Sequence, residues 1–209
     1  MKTFLLSALL SLTFFISNAA AVEPLAVDSK PLIENTKKEE PHLGFVELGL
    51  GYGGCTGDDC NNIDGSFGAN LEGFYLFKPN IAAGLMFNYQ MFSGSGVDSF
   101  YTMDFGLAAR YIHKINKCPI FSIPMRLFGQ LGAGYSTSES EWTITGQSNT
   151  VSNTGFFVEP AAGVSWEVYD SINTGLTFKY QLNLWDEDDD GNSPDFNNFF
   201  IGLNVSYYF

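Results

Sequence analysis

The last twelve residues of the chain, Asn198 to Phe209, read NFFIGLNVSYYF and decide the fold. Every second position is apolar or aromatic, and the positions between are mostly smaller or polar. The first set is Phe199, Ile201, Leu203, Val205, Tyr207 and Phe209. Neighbouring side chains of a β-strand point to opposite faces, so a period of two indicates a strand whose faces meet different surroundings.

The same alternation recurs upstream and predicts an all-β chain of eight strands. Each segment is close to the roughly 9 to 11 residues that a tilted membrane-spanning strand requires. The predicted strands are 43–53, 66–77, 81–92, 100–113, 120–135, 154–168, 173–185 and 196–209.

The connections between these strands alternate in length. The short ones are 78–80, 113–119 and 169–173, and the long polar ones are 54–65, 93–99, 136–153 and 186–195. Short turns at one end and long loops at the other indicate an eight-stranded antiparallel transmembrane β-barrel of the bacterial outer membrane. Aromatic residues near the strand ends fit two interfacial girdles: Tyr52, Tyr75, Phe77, Tyr89, Tyr101, Tyr111, Tyr135, Trp166, Trp185, Tyr207 and Phe209.

The less apolar face of the strands is rich in Gly and other small residues and carries few charges. A soluble barrel would expose that face to water and fill it with charge, whereas small residues suit a crowded lumen. The interior of an eight-stranded barrel is filled by side chains, and charges confined there must be paired. We therefore expect a lumen charge network of Glu47, Glu72, Asp104, Arg110, Arg126, Glu159 and Lys179.

The composition excludes two classes of protein. Of 209 residues, 45% are hydrophobic and only 16% are charged, against a usual charged share of about 25%, so the chain is not wholly disordered. Its 23 acidic and 10 basic residues give a net charge of -13. Nucleic acid is not an expected partner, because neutralising phosphates requires clustered Lys and Arg.

The start of the chain predicts export. Residues 1–21 combine Lys2, an apolar run and small residues suited to cleavage, which is typical of a secretory signal peptide. Residues 22–42 carry three Pro and little periodicity, so we expect a flexible periplasmic tether before the barrel domain at 43–209. No later run reaches the 18 apolar residues of a membrane-spanning helix.

Export permits disulfides, and two of the three Cys lie close together. Cys55 and Cys60 flank a polar stretch in the first long connection. We expect them to form a disulfide, because exposed free thiols are unusual in an oxidising compartment; two free loop thiols are the alternative. Cys118 is left without a partner.

The connection at 186–195 contains an acidic run. Asp186, Asp188, Asp190 and Gly191 match the first half of a calcium-binding loop, in which alternate carboxylates converge on the ion. Asn197 stands where that pattern requires the closing Glu. The alternatives are a solvated acidic loop, or carboxylates that share divalent cations with lipopolysaccharide phosphates. Calcium is therefore one of three interpretations, and no other cofactor is predicted.

The strand pattern and the chain end together resemble a known family. The C-terminal strand, with Val205, Tyr207 and the terminal Phe209, is similar to the signal by which the barrel-assembly machinery recognises outer-membrane proteins. With Gly132–Tyr135 and Ala162–Val164 inside strands, 43–209 resembles the small OmpA/OmpX-like eight-stranded barrels. The resemblance implies a monomer in contact with outer-membrane lipid and lipopolysaccharide. Members of this fold serve as anchors, adhesins, resistance factors and rarely enzymes, so the fold alone does not assign an activity.

The residues give little support to catalysis. The only two His, His42 and His113, fall in the tether and in a predicted short turn, away from any strand face that combines Ser with a carboxylate. We expect a non-enzymatic envelope scaffold or surface-interaction protein whose external loops mediate adhesion or shielding. The alternative is a narrow pore for ions or small solutes, although eight strands normally leave no open channel.

Overall fold

The computed structural model describes residues 42–60, 63–94, 99–115, 124–144, 147–186 and 195–209. Eight antiparallel strands, each paired with the next, form a closed barrel in which β8 returns to β1. The strands are β1 (Gly44–Thr56), β2 (Ile63–Lys78), β3 (Ile81–Gly94), β4 (Ser99–Ile115), β5 (Met125–Ile144), β6 (Gln147–Tyr169), β7 (Ile172–Trp185) and β8 (Asn197–Tyr208). Within these residues no helix is long and apolar enough to cross a membrane.

The alternation seen in the sequence becomes an outward and an inward face. On β1, Leu48 is 53% exposed while the preceding Glu47 is 2% exposed. On β8, alternate residues from Ile201 to Phe209 are exposed, and the alternate residues between Asn198 and Tyr208 are buried. The strand therefore has the inward and outward faces that the sequence predicted. A large exposed apolar surface surrounding a polar interior is the reverse of a soluble barrel.

Small residues allow close packing at the seam where β1 pairs with β8 and closes the barrel. Gly51 lies opposite Gly202 in the register. A Cβ built on Gly51 would clash with the backbone carbonyl oxygen of Ile201 and would lie 2.5 Å from the Cα of Gly202 and 2.7 Å from the ring of Phe200. Glycine is therefore required here because the backbone of β8 approaches too closely for a side chain.

The lumen has three layers along the barrel axis. We call the end that carries Leu43 and the chain end the Phe209 end, and the other the hairpin end. An apolar cluster lies towards the Phe209 end: Phe45, Phe74, Ala82, Met86, Ala108, Ile112, Phe128, Phe157 and Tyr208. A second one, of Phe92, Trp185 and Phe196, lies towards the hairpin end. Polar and charged side chains fill the space between them.

The strands extend further than the sequence predicted. The span 136–153, expected as a loop, is largely strand, because β5 and β6 stay paired from Met125↔Trp166 to Ile144↔Gln147. Likewise β1 runs to Thr56 and β2 begins at Ile63 within the expected loop 54–65. Polar Ser and Thr side chains hid the period of two, yet Thr, Val and Trp favour strands. Of the fifth predicted strand, residues 120–123 lie outside the described residues.

One aromatic assignment was wrong. Trp185 was expected in an outward girdle, but it is buried and points into the lumen. Its indole Nε1–H donates to the carbonyl oxygen of Phe196 at 3.1 Å. Other predicted girdle residues do face outward, as Tyr52, Tyr75 and Phe77 show.

Candidate functional site

Arg110 is the centre of a buried charge network in the lumen. It occupies the inward phase of β4, and its guanidinium contacts carboxylates from two other strands. Its Nη1 and Nη2 donate to the two oxygens of Glu47 at 3.0 and 2.9 Å. Nη2 also donates to Glu72 at 2.6 Å, and Nε donates to Gln130 at 2.7 Å. Such a bidentate Arg–carboxylate pair is among the stronger hydrogen-bonded contacts in proteins.

Lys179 of β7 continues the network towards the hairpin end. Its ammonium donates to Glu72 and, at 3.0 Å, to the amide oxygen of Asn88. Glu159 follows, with Oε1 3.3 Å from the Lys179 nitrogen and Oε2 accepting a hydrogen bond from Asn88 at 2.8 Å. The charges thus form a chain that links Glu47, Arg110, Glu72, Lys179 and Glu159 across five strands.

The network rests on aromatic rings that the sequence analysis did not assign to it. The Arg110 guanidinium carbon lies 4.2 Å from the ring centre of Phe128, 4.5 Å from Phe74 and 5.3 Å from Phe45. Cation–π contacts of this kind strengthen when the cation is desolvated. The alternation along each strand places these rings on the inward face. Alternation does not reveal, however, which strands meet across the lumen.

The remaining predicted network residues lie elsewhere. Asp104 accepts hydrogen bonds from Ser136 at 2.5 Å and Gln181 at 3.0 Å, both neutral donors. Arg126 lies at the Phe209 end, where it forms an ion pair with Glu167 at 3.3 Å. Its guanidinium carbon is 4.3 Å from the ring centre of Tyr208. The structure therefore joins five of the seven predicted side chains and sets these two apart.

A small cavity lies beside Lys179 and Glu159. Its available volume of about 20 Å³ corresponds to one or two water molecules. Its walls are mostly amide and charged side chains: Asn70, Asn88, Gln90, Glu159, Lys179, Gln181 and Asn198, with Ala69, Tyr89, Phe199 and Phe200. A space this small holds single ions or water molecules.

Comparison with known proteins agrees with this architecture. The family model described as "Outer membrane protein beta-barrel domain" matches residues 7–209. The chain belongs to this outer-membrane barrel family. No curated protein sequence matches it.

Solved structures share the fold at low sequence identity. Neisserial surface protein A has a TM-score of 0.55 and 12% identity, over 79% of this chain and 97% of that one. A major outer membrane protein from Thermus thermophilus scores 0.55 at 13% identity, covering 79% and 98%. OprG from Pseudomonas aeruginosa scores 0.52 at 10% identity, covering 80% and 98%. The barrel is thus a bacterial outer-membrane barrel, and at such identities the likeness concerns the fold alone.

An apolar cluster, which we call the plug, lies in the lumen at the hairpin end of this outer-membrane barrel. Phe92, Phe100 and Phe196 pack at ring-centre distances of 4.9 to 5.3 Å, with Trp185 beside them. The predicted disulfide between Cys55 and Cys60 is present, with 5.8 Å between the Cα atoms, and both residues pack against this plug. It therefore connects the β1–β2 segment to the closure of the lumen. Cys118 lies outside the described residues.

The chain-end strand and the acidic run were two further predicted sets. Val205, Tyr207 and Phe209 all face outward and are more than half exposed. Asp186 is exposed and accepts a hydrogen bond from Thr154 at 3.1 Å, while Asp188 and Asp190 lie outside the described residues. The part of the chain that the structure describes holds no group of three or more His, Cys, Asp or Glu suited to a metal ion.

Proposed function

We propose that this protein is a non-enzymatic outer-membrane scaffold that interacts with ligands through its external segments, with adhesion or shielding as the outcome. The carrying observation is the β5–β6 hairpin. Its strands pair up to Ile144↔Gln147, whereas the pairing of β6 with β7 ends at Gly155↔Trp185. The hairpin therefore projects past the β7 side of the barrel, at the end opposite the short turns.

The projecting part offers a strand edge and a polar surface. Among the described residues, β6 from Gln147 to Asn153 has no partner on the β7 side, whereas the carbonyl of Thr154 accepts a hydrogen bond from the N–H of Asp186 at 2.9 Å. An unpaired edge presents backbone N–H and C=O groups that an extended segment of another chain can pair with. Val151 is 41% exposed there, and Ser, Thr and Asn dominate the sequence of the hairpin. These features suit recognition of a surface ligand better than lipid contact.

The closed lumen supports a scaffold over a pore. A narrow pore requires a continuous wet path, but the charge network crosses the middle of the lumen and aromatic clusters lie at both ends. Eight strands leave room only for side chains. The buried charged groups then serve to pack the interior, and the external segments bind the ligand.

The C-terminal strand has a separate proposed role. The barrel-assembly machinery would recognise Val205, Tyr207 and Phe209. The chain would then insert as a monomer among lipid and lipopolysaccharide. Their outward exposure in the folded barrel supports this, because the folded protein does not bury them in a core. Removal of a signal peptide at 1–21 would precede this step.

A hairpin exchange tests the proposed function. Residues 139–152 are replaced by Asn-Gly, a two-residue turn that joins the paired residues Ser138 and Asn153. Cells displaying the shortened protein should lose binding to a mammalian cell monolayer or to immobilised lipopolysaccharide, while the barrel keeps its heat-modifiable migration on a gel.

A matched pair of point variants controls for general disturbance. Val151 in the hairpin and Val168 at the opposite end of the same strand are both exposed, at 41% and 54%. Val151→Asn should weaken binding, whereas Val168→Asn should not. Unchanged binding to both surfaces after hairpin exchange would reject the surface-interaction proposal.

A further inference from the structure

The buried charges of the lumen do not balance. Four carboxylates, Glu47, Glu72, Asp104 and Glu159, are 2% exposed or less, whereas only Arg110 and Lys179 are buried cations, each 3% exposed. Two negative charges are therefore in excess among the described lumen residues. An uncompensated buried charge is costly, so the imbalance requires a positive partner or a proton.

The excess falls at the hairpin side of the network. Arg110 contacts Glu47 and Glu72, while Lys179 divides its charge between Glu72 and Glu159. Glu159 is thus the terminal carboxylate of the chain. Its Oε1 is buried and makes no hydrogen bond, although Lys179 lies 3.3 Å away. Beyond this ion pair Oε1 has no partner, and Glu159 lines the small cavity.

A second, independent feature points to a ligand in the same cavity. Asn198 of β8 is 2% exposed, and neither its amide oxygen nor its amide nitrogen has a hydrogen-bond partner. Buried polar side chains are almost always hydrogen-bonded. Asn198 and Glu159 line one cavity, so the same space is bordered by an amide without hydrogen-bond partners and by a carboxylate whose Oε1 has only the ion pair with Lys179.

We propose that this cavity binds one monovalent inorganic cation, Na⁺ or K⁺, through the carboxylate of Glu159 and the amide oxygen of Asn198. Gln90 and Gln181, whose amide oxygens are also hard donors, line the same cavity. Oxygen donors of this type are those that hard cations select. The ion would neutralise half of the excess lumen charge and complete the interior packing.

The chemistry of the walls favours a single positive charge. Among the described residues only one carboxylate, Glu159, lines the cavity, and Lys179 lies beside it. A calcium ion is normally held by several carboxylates, and its double charge would be repelled more strongly by the ammonium. An anion would add to the negative excess. The volume of about 20 Å³ excludes organic cations such as choline.

Thermal unfolding of the full-length mature protein in a zwitterionic detergent tests this site. The folded fraction is followed by heat-modifiable migration in NaCl, KCl or choline chloride at equal ionic strength. We expect NaCl or KCl to raise the midpoint saturably above that in choline chloride, because a ligand of the folded state alone stabilises it. Glu159→Gln should weaken the apparent affinity at least about tenfold.

Asn198→Ala provides a second test if the Glu159 variant does not fold, and it should also lower the apparent affinity. Asp64→Asn, at an exposed carboxylate near the hairpin end, is the matched control and should keep the full cation effect. Equal midpoints in the three salts would overturn the proposal. So would an infrared band of a protonated carboxylic acid in NaCl that disappears in Glu159→Gln, because a proton would then neutralise that group.

Discussion

The lumen and the β5–β6 hairpin differ in how completely their polar groups are used. In the lumen, Arg110 makes four hydrogen bonds to three side chains, and aromatic rings enclose it. In the hairpin, β6 pairs with β5 on one side, whereas its other edge has no partner strand from Gln147 to Asn153 among the described residues. The closely paired groups around Arg110 rigidify the barrel, whereas unpaired groups outside remain available to other molecules.

We therefore expect the lumen to determine the stability of the barrel and the hairpin to determine its binding to other molecules. Changes in the lumen should alter the free energy of unfolding and leave ligand binding unaffected while the barrel is folded. Changes in the hairpin should do the opposite. The following variants test that separation, in order of decreasing expected effect on stability.

Arg110→Ala should have the largest effect. It removes the cation that lies between Glu47 and Glu72 and leaves both carboxylates buried. Breaking a buried ion pair in this way costs about 3–5 kcal/mol. Equilibrium urea unfolding in detergent measures the loss, and Lys78→Ala, at an exposed lysine beside a turn, is the control. Equal unfolding free energies for the two variants would refute the structural importance of the network.

Trp185→Ala should cost somewhat less, about 3 kcal/mol. It removes a large ring from the plug and the hydrogen bond to the Phe196 carbonyl. Trp185→Phe keeps most of the ring volume and should recover more than half of the loss. If both variants unfold like the parent, the plug does not contribute to stability.

Reduction of the disulfide should have a smaller effect. The ring between Cys55 and Cys60 is short, so its loss costs at most about 2 kcal/mol in the chain-entropy account. Unfolding of the Cys55→Ser, Cys60→Ser double variant should match that of the reduced parent protein. A loss larger than that of Trp185→Ala would mean that the disulfide supports more than the loop and the plug.

The hairpin exchange should have the smallest effect on stability, within about 0.5 kcal/mol. Among the residues of the removed span 139–152 whose side chains the structure describes, none belongs to either apolar cluster or to the charge network. Urea unfolding of the shortened protein checks this, alongside the binding assays. A loss above about 2 kcal/mol would show that the hairpin is part of the barrel's stability rather than a separate binding element.

The sequence predicted the barrel because its physical signal is local. Leu48 and Glu47 are neighbours in the chain, and membrane and lumen impose opposite preferences on them. Which charges meet is a non-local property: the phase of Arg126 matched that of Arg110, yet its height in the barrel places it beside Glu167. The length of the hairpin was missed for another reason. Outside the membrane both faces of a strand are wet, so alternation of polarity disappears although the pairing continues.

The central claim is that the lumen is closed and that interaction occurs outside it. Planar-bilayer conductance of the purified barrel tests it most directly, with the full hairpin and with residues 139–152 replaced by Asn-Gly. The charge network and the aromatic plug predict no discrete openings in either protein. Stable, discrete openings that persist after the exchange would contradict the account and favour a narrow pore.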